Sequence, residues 1–358
     1  MKACCLALLA VLPLPGRAGE LRVDFGTQLH IPVGSQREGR KQVEAILRQR
    51  LGPHARSAEI SLEKTDDYVH ISLPFSEGMD VLSSWKLAGA VASDARAFVL
   101  DGEDDAPESG WLFAEGEVLE ILGREGPKSL RVRRGSSNTQ ATPHAAGATV
   151  LLVSHESTAL LVSARGELEF LEEAPLDTSA KDHGSLAEER QRFLDWWKAP
   201  NPDAEIEDFA QLDRKHGGPP DGWAWCVAWR QPHADPESWH ALVQPAKRSW
   251  RFTRDDVAEW KETFDALGFP ALAFTIRKER AADFAAWTAS LVGKRMAIVL
   301  DRRSVLSLAT VRSSLPGEGI LASSGRAFRT DEVRALLSIL HAPALPWRAR
   351  FASCSCRT

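Results

Sequence analysis

Cysteine is scarce in this chain of 358 residues: there are five, and Cys4 and Cys5 stand at the very start. That leaves Cys226, Cys354 and Cys356 for a mature domain, an odd number with no disulfide framework to read. Long apolar runs are missing as well. After the first dozen residues, nothing approaches the about 20 apolar positions that a membrane-spanning helix needs. Positive charge is not in excess, since the formal balance is −5, so nucleic acid finds no electrostatic footprint. The local clusters Arg131, Arg133, Arg134 and Lys247, Arg248, Arg251, Arg254 read as solvated surface. Length and a hydrophobic content of 44% are those of a soluble globular protein of one large or two ordinary domains.

Signatures of chemistry are thin too. His155-Glu156 begins like a zinc helix, but Ala159 stands where the second histidine is required. Residues 123–129 resemble a phosphate loop, yet Pro127 precedes Lys128 where glycine must let the backbone approach phosphate. No Gly-x-Ser-x-Gly elbow occurs, and the mature cysteines have no evident histidine partner. His233 and His240 flank a tryptophan-rich turn as a surface pair. His30 reads as a strand-edge histidine, and Asp24 and Asp301 as strand-end or turn carboxylates. No catalytic, cofactor or metal residue is expected, and an envelope hydrolase is a minor alternative only.

What is present begins with Lys2 and an apolar run over 3–12, broken by Pro13 and Pro15, with a small-x-small site at Gly16-Arg17-Ala18. These are the features of a secretory signal peptide over 1–18. Its removal takes away Lys2 and Arg17 and no acid, deepening the negative balance. The mature chain is expected to be periplasmic or secreted. In an oxidising compartment one tail cysteine can pair with Cys226 or with another molecule; an incidental tail and a buried thiol is the other reading.

The periodicities give an α+β chain. Residues 21–33 read as a strand and 37–51 as a helix with Val43, Ile46, Leu47 and Leu51 on one face. Strands follow over 58–64 and 68–73, then a helix over 79–91 and a strand over 95–100, a ferredoxin-like β-α-β-β-α-β order and the base of the molecule (19–100). Residues 101–245 form a β-rich insert or head segment: polar linkers at 135–147 and 177–184, a small meander over 149–153, 159–163 and 167–171, and a helix over 185–197 with Leu186, Phe193, Trp196 and Trp197 inward. The strand at 222–230 aligns Trp223, Trp225 and Trp229, and 239–243 returns beside it. Such aromatic density makes either a core or an adhesive surface. Thr253, with Asp256 as reciprocal acid, is expected to cap a helix bearing Val257, Trp260, Phe264 and Leu267.

A strand-helix-strand unit is clearest at 269–301. Residues 270–277 alternate at the strand period; Phe284, Trp287 and Leu291 make a helix stripe ended by Gly293; and 296–300 is an unbroken apolar run. With 246–312 it forms a head core. Residues 313–351 return to the base through a helix bearing Val333, Leu336, Leu337 and Leu340, and 352–358 is a fraying tail.

The segment 292–301 resembles the end of the head in the first periplasmic domain of the SecD family, which assists Sec-dependent protein export. Residues 23–30 are similar to the family's Leu-Asp-Leu-x-Gly-Gly-x-His opening, 42–51 with 68–74 to its first helix and second strand, and 341–346 to its Arg-Ala-Gly-Ala-Leu-Pro ending. Asp301-Arg302-Arg303 departs from the family's Asp-Gly turn, which puts the hairpin geometry there in doubt because arginine tolerates positive φ poorly. The resemblance implies a base and a head that contact unfolded polypeptide, without the transmembrane bundle that supplies proton coupling. It points to Trp225, Trp229, Trp239, Phe274 and Ile276 as polypeptide contacts, with unfolded secretory polypeptide or a component of the Sec machinery as partner. The alternative is a structural domain docking on one envelope partner. Under the family reading, the segments 20–100 and 325–351 should share a sheet.

Overall fold

Val23, Phe25 and Leu29 face one way along the first described stretch, the spacing that builds strand β1 (Arg22–Leu29). The computed structural model describes residues 22–29, 36–62, 68–136, 139–175, 179–180, 184–185, 187–188, 190–191, 195, 223–229, 239–302, 304–323, 327–347 and 349–357. The expected signal peptide, His30, His233 and Cys356's side chain lie outside what is described. Helix α1 (Gln36–Leu51) buries the expected stripe of Val43, Ile46, Leu47 and Leu51. Strands β2 (Glu59–Leu62) and β3 (Tyr68–Pro74) are antiparallel, and β3 pairs with β1. A short helix α2 (Phe75–Gly78) ends this part.

Residues 79–91 are not a helix. They form β4 (Asp80–Leu87), in which Trp85 and Leu87, two apart, are buried. Cross-strand pairing outweighs the apolar content read as helical, and Ser83 and Ser84 contribute little helix propensity. With β5 (Ala97–Asp101), β6 (Trp111–Ala114), β7 (Glu117–Gly126), β8 (Ser129–Ser136) and β9 (Thr149–Ser154), β4 closes a barrel in the order β4-β5-β8-β7-β6-β9. Phe98, Leu112, Leu119, Leu130, Val132 and Val150 fill it. Two corrections to surface readings lie at one end. The Arg134 side chain is only 7% exposed and holds the fully buried Glu117 through two 2.8 Å contacts, and Glu117 also accepts from the Gly135 and Thr142 amides at 2.8 and 3.1 Å. His144, in the stretch expected to be a linker, places its ring nitrogens 3.0 Å from Glu115 and 2.9 Å from Glu117 and bridges by its backbone to Val91.

Residues 159–163, expected as part of a meander, belong to helix α3 (Glu156–Ser163), where Thr158 and Val162, four apart, are buried. The chain then enters β10 (Leu168–Glu173) and two minimal strands, β11 (Ser179–Ala180) and β12 (Gly184–Ser185). Residues 187–188, 190–191 and 195 are helical, in line with the expected helix over 185–197, whose apolar residues lie outside the described set. The tryptophan hairpin forms as β13 (Trp223–Ala228) and β14 (Trp239–Val243).

Next come β15 (Phe252–Thr253), β16 (Val257–Phe264), β17 (Pro270–Ile276), helix α4 (Lys278–Ser290), β18 (Arg295–Leu300), β19 (Ser304–Thr310), β20 (Glu318–Leu321), helix α5 (Thr330–His341) and β21 (Ala349–Arg357). The helix expected over 257–267 is β16. The Thr253–Asp256 box forms, but it caps a single 3-10 turn at Arg254–Asp256. A bulge between Val257 and Glu259 brings Val257 and Trp260 onto one buried face. One extra residue in a strand thus imitates the i, i+3 spacing of a helix.

Strands β14-β13-β19-β18-β10-β15 form a sheet in which β14 also pairs with β10, closing five of the six on themselves. Leu171, Cys226, Leu242, Val299 and Val305 pack together from those five. Strands β16-β17-β20 form a second sheet. Between the sheets and helices α4 and α5 lies an aromatic cluster: Phe252 packs 5.0 Å from Phe284 edge-on and 5.5 Å from Trp287 in a stack, and Phe170 lies 5.4 Å from Phe274. The last strand returns to the first sheet, in the order β2-β3-β1-β21, all antiparallel. Residues 352–357, expected to fray, are therefore held against β1, with Cys354 opposite Phe25 and Cys356 opposite Val23.

Candidate polypeptide-binding surface

The residues singled out as polypeptide contacts sit in the interior. Trp225 is 0% exposed, Trp229 8%, and Phe274 and Ile276 3% each. A bound chain cannot reach those side chains. Strand β17, which carries Phe274 and Ile276, has β16 on one edge and β20 on the other, so it cannot accept an added strand either. Trp239 pairs by its backbone with Val227, and its side chain lies outside the described residues. The aromatic density at Trp225 and Trp229 builds core.

The apolar surface is elsewhere in the head. Phe264 is 62% exposed, Leu267 80% and Phe269 46%, all on the turn joining β16 to β17. The turn is fixed by Asp265. Its Oδ1 accepts the amides of Leu267 and Phe269 at 2.8 and 2.9 Å, and its own amide donates to the Phe269 carbonyl at 2.8 Å. Gly268, at φ +85, supplies the left-handed residue that closes the turn. Three large apolar side chains are thereby displayed on an ordered backbone. Among the described residues β16 pairs only with β17, and no described strand covers its other edge beside this tip. Glu259 and Lys261, 2.9 Å apart, and Glu262, 3.8 Å from Arg334, lie along it. Charged residues of this sort guard an edge strand from indiscriminate pairing while leaving its amides and carbonyls accessible. Ile320 on β20, 55% exposed, adds an apolar position on the same sheet.

The head is set on the rest of the molecule by residues 164–167, between α3 and β10. Asp301 accepts the amides of Arg165, Gly166 and Glu167 at 2.8, 2.9 and 2.8 Å. From the other side, Arg50 of α1 donates to the carbonyls of Ala164, Leu161 (3.2 Å) and Arg165 (2.7 Å), and Arg254 donates to those of Gly166 (2.9 Å) and Leu340 (3.0 Å). Burial pushes the Asp301 carboxyl up, against the pull of its three amide donors and of Arg50. Burial lowers Arg50 to about 10, with Asp301 opposing. Asp301 and Arg302 both take left-handed φ, +57 and +56. The β18–β19 hairpin forms despite the missing glycine, because the amide bonds hold Asp301 while Glu169 grips the Arg302 guanidinium with two 2.9 Å contacts. Arg254, expected at the surface, is a strut of this joint. Arg50 was invisible as a functional residue, since an arginine in the last turn of a helix is ordinary.

Of the other residues read for chemistry, His240 contacts Glu173 at 2.8 Å, and Asp24 lies within β1. Among the described residues no three His, Cys, Asp or Glu side chains are grouped to hold a metal ion, and no helix is long and apolar enough to cross a membrane.

Residues 235–347 match the family model "SecDF, P1 head subdomain". The protein translocase subunit SecD of Aquifex aeolicus is 38% identical over 87 residues, covering 24% of this chain and 17% of that protein. SecD of Elusimicrobium minutum is 42% identical over 79 residues (22% and 16%), and SecD of Rhodobacter capsulatus 33% over 125 (32% and 22%). The chain thus spans less than a quarter of each of these relatives. A solved SecDF in a super-membrane-facing form aligns with 94% of this chain and 30% of its own, at 15% identity and a TM-score of 0.38. A second, described as a membrane component that enhances protein export, aligns with 92% and 98%, at 15% and 0.36.

Proposed function

Because the chain carries a SecD-like periplasmic domain with its head match at residues 235–347, we propose that it serves Sec-dependent protein translocation by holding extended polypeptide on that head. The observation that carries this reading is the Asp265-fixed tip with Phe264, Leu267 and Phe269 exposed beside the edge of β16 that no described strand covers. An extended chain adds to the edge by main-chain hydrogen bonds, which are indifferent to sequence, and rests apolar side chains on the tip. Such a mode suits a partner of no fixed sequence. Binding alone is assigned to these residues; coupling to a proton gradient is not.

In this reading the base is a ferredoxin-like unit, 22–78 with 330–357, whose strand order β2-β3-β1-β21 and two helices α1 and α5 follow that pattern. The barrel (80–154) and the head (168–321) are inserted between its third strand and second helix. A signal peptide at 1–18 delivers the chain to the periplasm or beyond.

Titration of the intact chain with an unfolded secretory polypeptide, followed by anisotropy of a label on the polypeptide, tests the reading. Saturable binding is expected, and Phe264→Ser with Leu267→Ser should weaken it by ~10-fold or more, as loss of two apolar contacts implies. Unchanged affinity in the folded double variant sinks the reading. The single conformation that Asp265 gives the tip also suits docking on one fixed envelope partner. A photocrosslinker at position 267 separates the two: many exported chains support polypeptide capture, and a single dominant product supports docking.

A further inference from the structure

At the start of α5, four carboxylates converge on one guanidinium. Arg329 lies 2.6 Å from Asp331, 3.3 Å from Glu156, 3.5 Å from Glu332 and 3.8 Å from Asp80. Ser157 binds two of the acids: its hydroxyl donates to Asp331 at 2.7 Å, and its amide donates to Asp80 at 3.2 Å. Three parts of the molecule meet here. Asp80 is the first residue of the barrel, Glu156 and Ser157 open α3, and Arg329, Asp331 and Glu332 belong to the start of α5, which also packs on β16 and β17 of the head. Asp80 and Asp331 thus share one guanidinium and one serine with their side chains only 16% and 29% exposed, and a like-charged pair so placed resists double ionisation.

We propose that the Asp80–Ser157–Asp331–Arg329 cluster is a proton-dependent latch that tightens the barrel against α3 and α5 on acidification and loosens it towards neutral pH. A proton from solvent neutralises Asp80 and ends its repulsion with Asp331, which stays ionised on Arg329. Burial first, and the charge of Asp331 second, raise Asp80 to about 6, while Arg329 and Ser157 hold Asp331 down at about 2 against burial. An acid raised on folding gives stability that is complete below its ordinary 3.8 and is lost as pH rises through about 6. Among the described residues, the charged and titratable groups of the cluster around Asp80 are Asp331, Arg329 and Glu332 from the start of α5 and Glu156, with its neighbour His155, from the start of α3; opposite Asp80 on β9 is the neutral Ser154. Burial lowers His155, so its protonation would act with the opposite sign.

Carbon-13 titration of aspartate carboxyls in the intact chain, with hydrogen exchange of β4 and α3 between pH 5 and 7.5, tests the latch. One carboxyl, absent from Asp80→Asn, should titrate near 6. Corrected for intrinsic exchange, opening of β4 and α3 should rise by about 10-fold across this range, tenfold for the one unit between pH 5 and the Asp80 value of about 6. Asp80→Asn should flatten that rise, and Asp105→Asn, at an exposed barrel acid, should not. An Asp80 carboxyl titrating below about 4.5 overturns the proposal on the wild-type chain alone, whatever the variant does. So does a folded Asp80→Asn chain with an undiminished slope.

Discussion

Gly166 stands where the joint leaves no room for a side chain. Its φ is +88, and a Cβ there would meet Nη2 of Arg50 at 2.8 Å and Cγ2 of Ile339 at 2.9 Å. Gly166→Ala should therefore cost about 2–4 kcal/mol, the sum of left-handed strain and displacement of a buried arginine. A shift in the urea midpoint at unchanged slope would record it; a loss under 0.5 kcal/mol would mean that Arg50 is held less firmly than its bonds to Ala164 and Arg165 imply. Such relations were only half legible from residues. Asp301 announced itself as a turn carboxylate, but the amides it binds are about 135 positions away. Arg50 and Arg254 differ from surface arginines only by what the fold places above them.

Elements were legible where their period was unambiguous. The alternation of β17, the stripe of α4 and the apolar run of β18 correspond to what forms. Misreadings came where local geometry disguises the period, as the bulge does in β16, or where neighbours decide, as β9 does for β4. The barrel escaped altogether, because its closure is a property of six strands and of none singly. Its charged plug has a pH signature. Burial alone would raise Glu117, but Arg134, the amides of Gly135 and Thr142, and His144 bring it below 4.5. A depressed acid contributes stability above its ordinary value that is lost as pH falls through the lowered one. Barrel near-ultraviolet dichroism from Trp85 and Trp111 should accordingly fade as pH falls below the ordinary glutamate range. Glu117→Gln should move that loss, and its stability at pH 7 should fall by about 3 kcal/mol because Arg134 is left buried without its counter-charge. Acid unfolding with the same midpoint in both chains would refute the assignment.

At the scale of the whole molecule, the pairing of the first and last thirds was expected from the family-like ends, and β1 with β21 forms it. The return to the base runs past the expected limit at 351: the segment taken for a fraying tail is most of the last strand. Deleting 349–358 strips one edge of β1, removes the partner of Phe25 and should lower the melting temperature of the base by about 10 °C or more, while the aromatic cluster of the head keeps its exchange protection. Simultaneous loss of protection everywhere would show that base and head unfold as one.

That pairing also has a mechanical meaning. Arg22 and Arg357 are directly opposite in an antiparallel ladder, so tension between the two ends would peel β1 from β21 one rung at a time, as a zipper opens. Little of that force would travel through the barrel or the head, which hang as a side loop outside the line of pull.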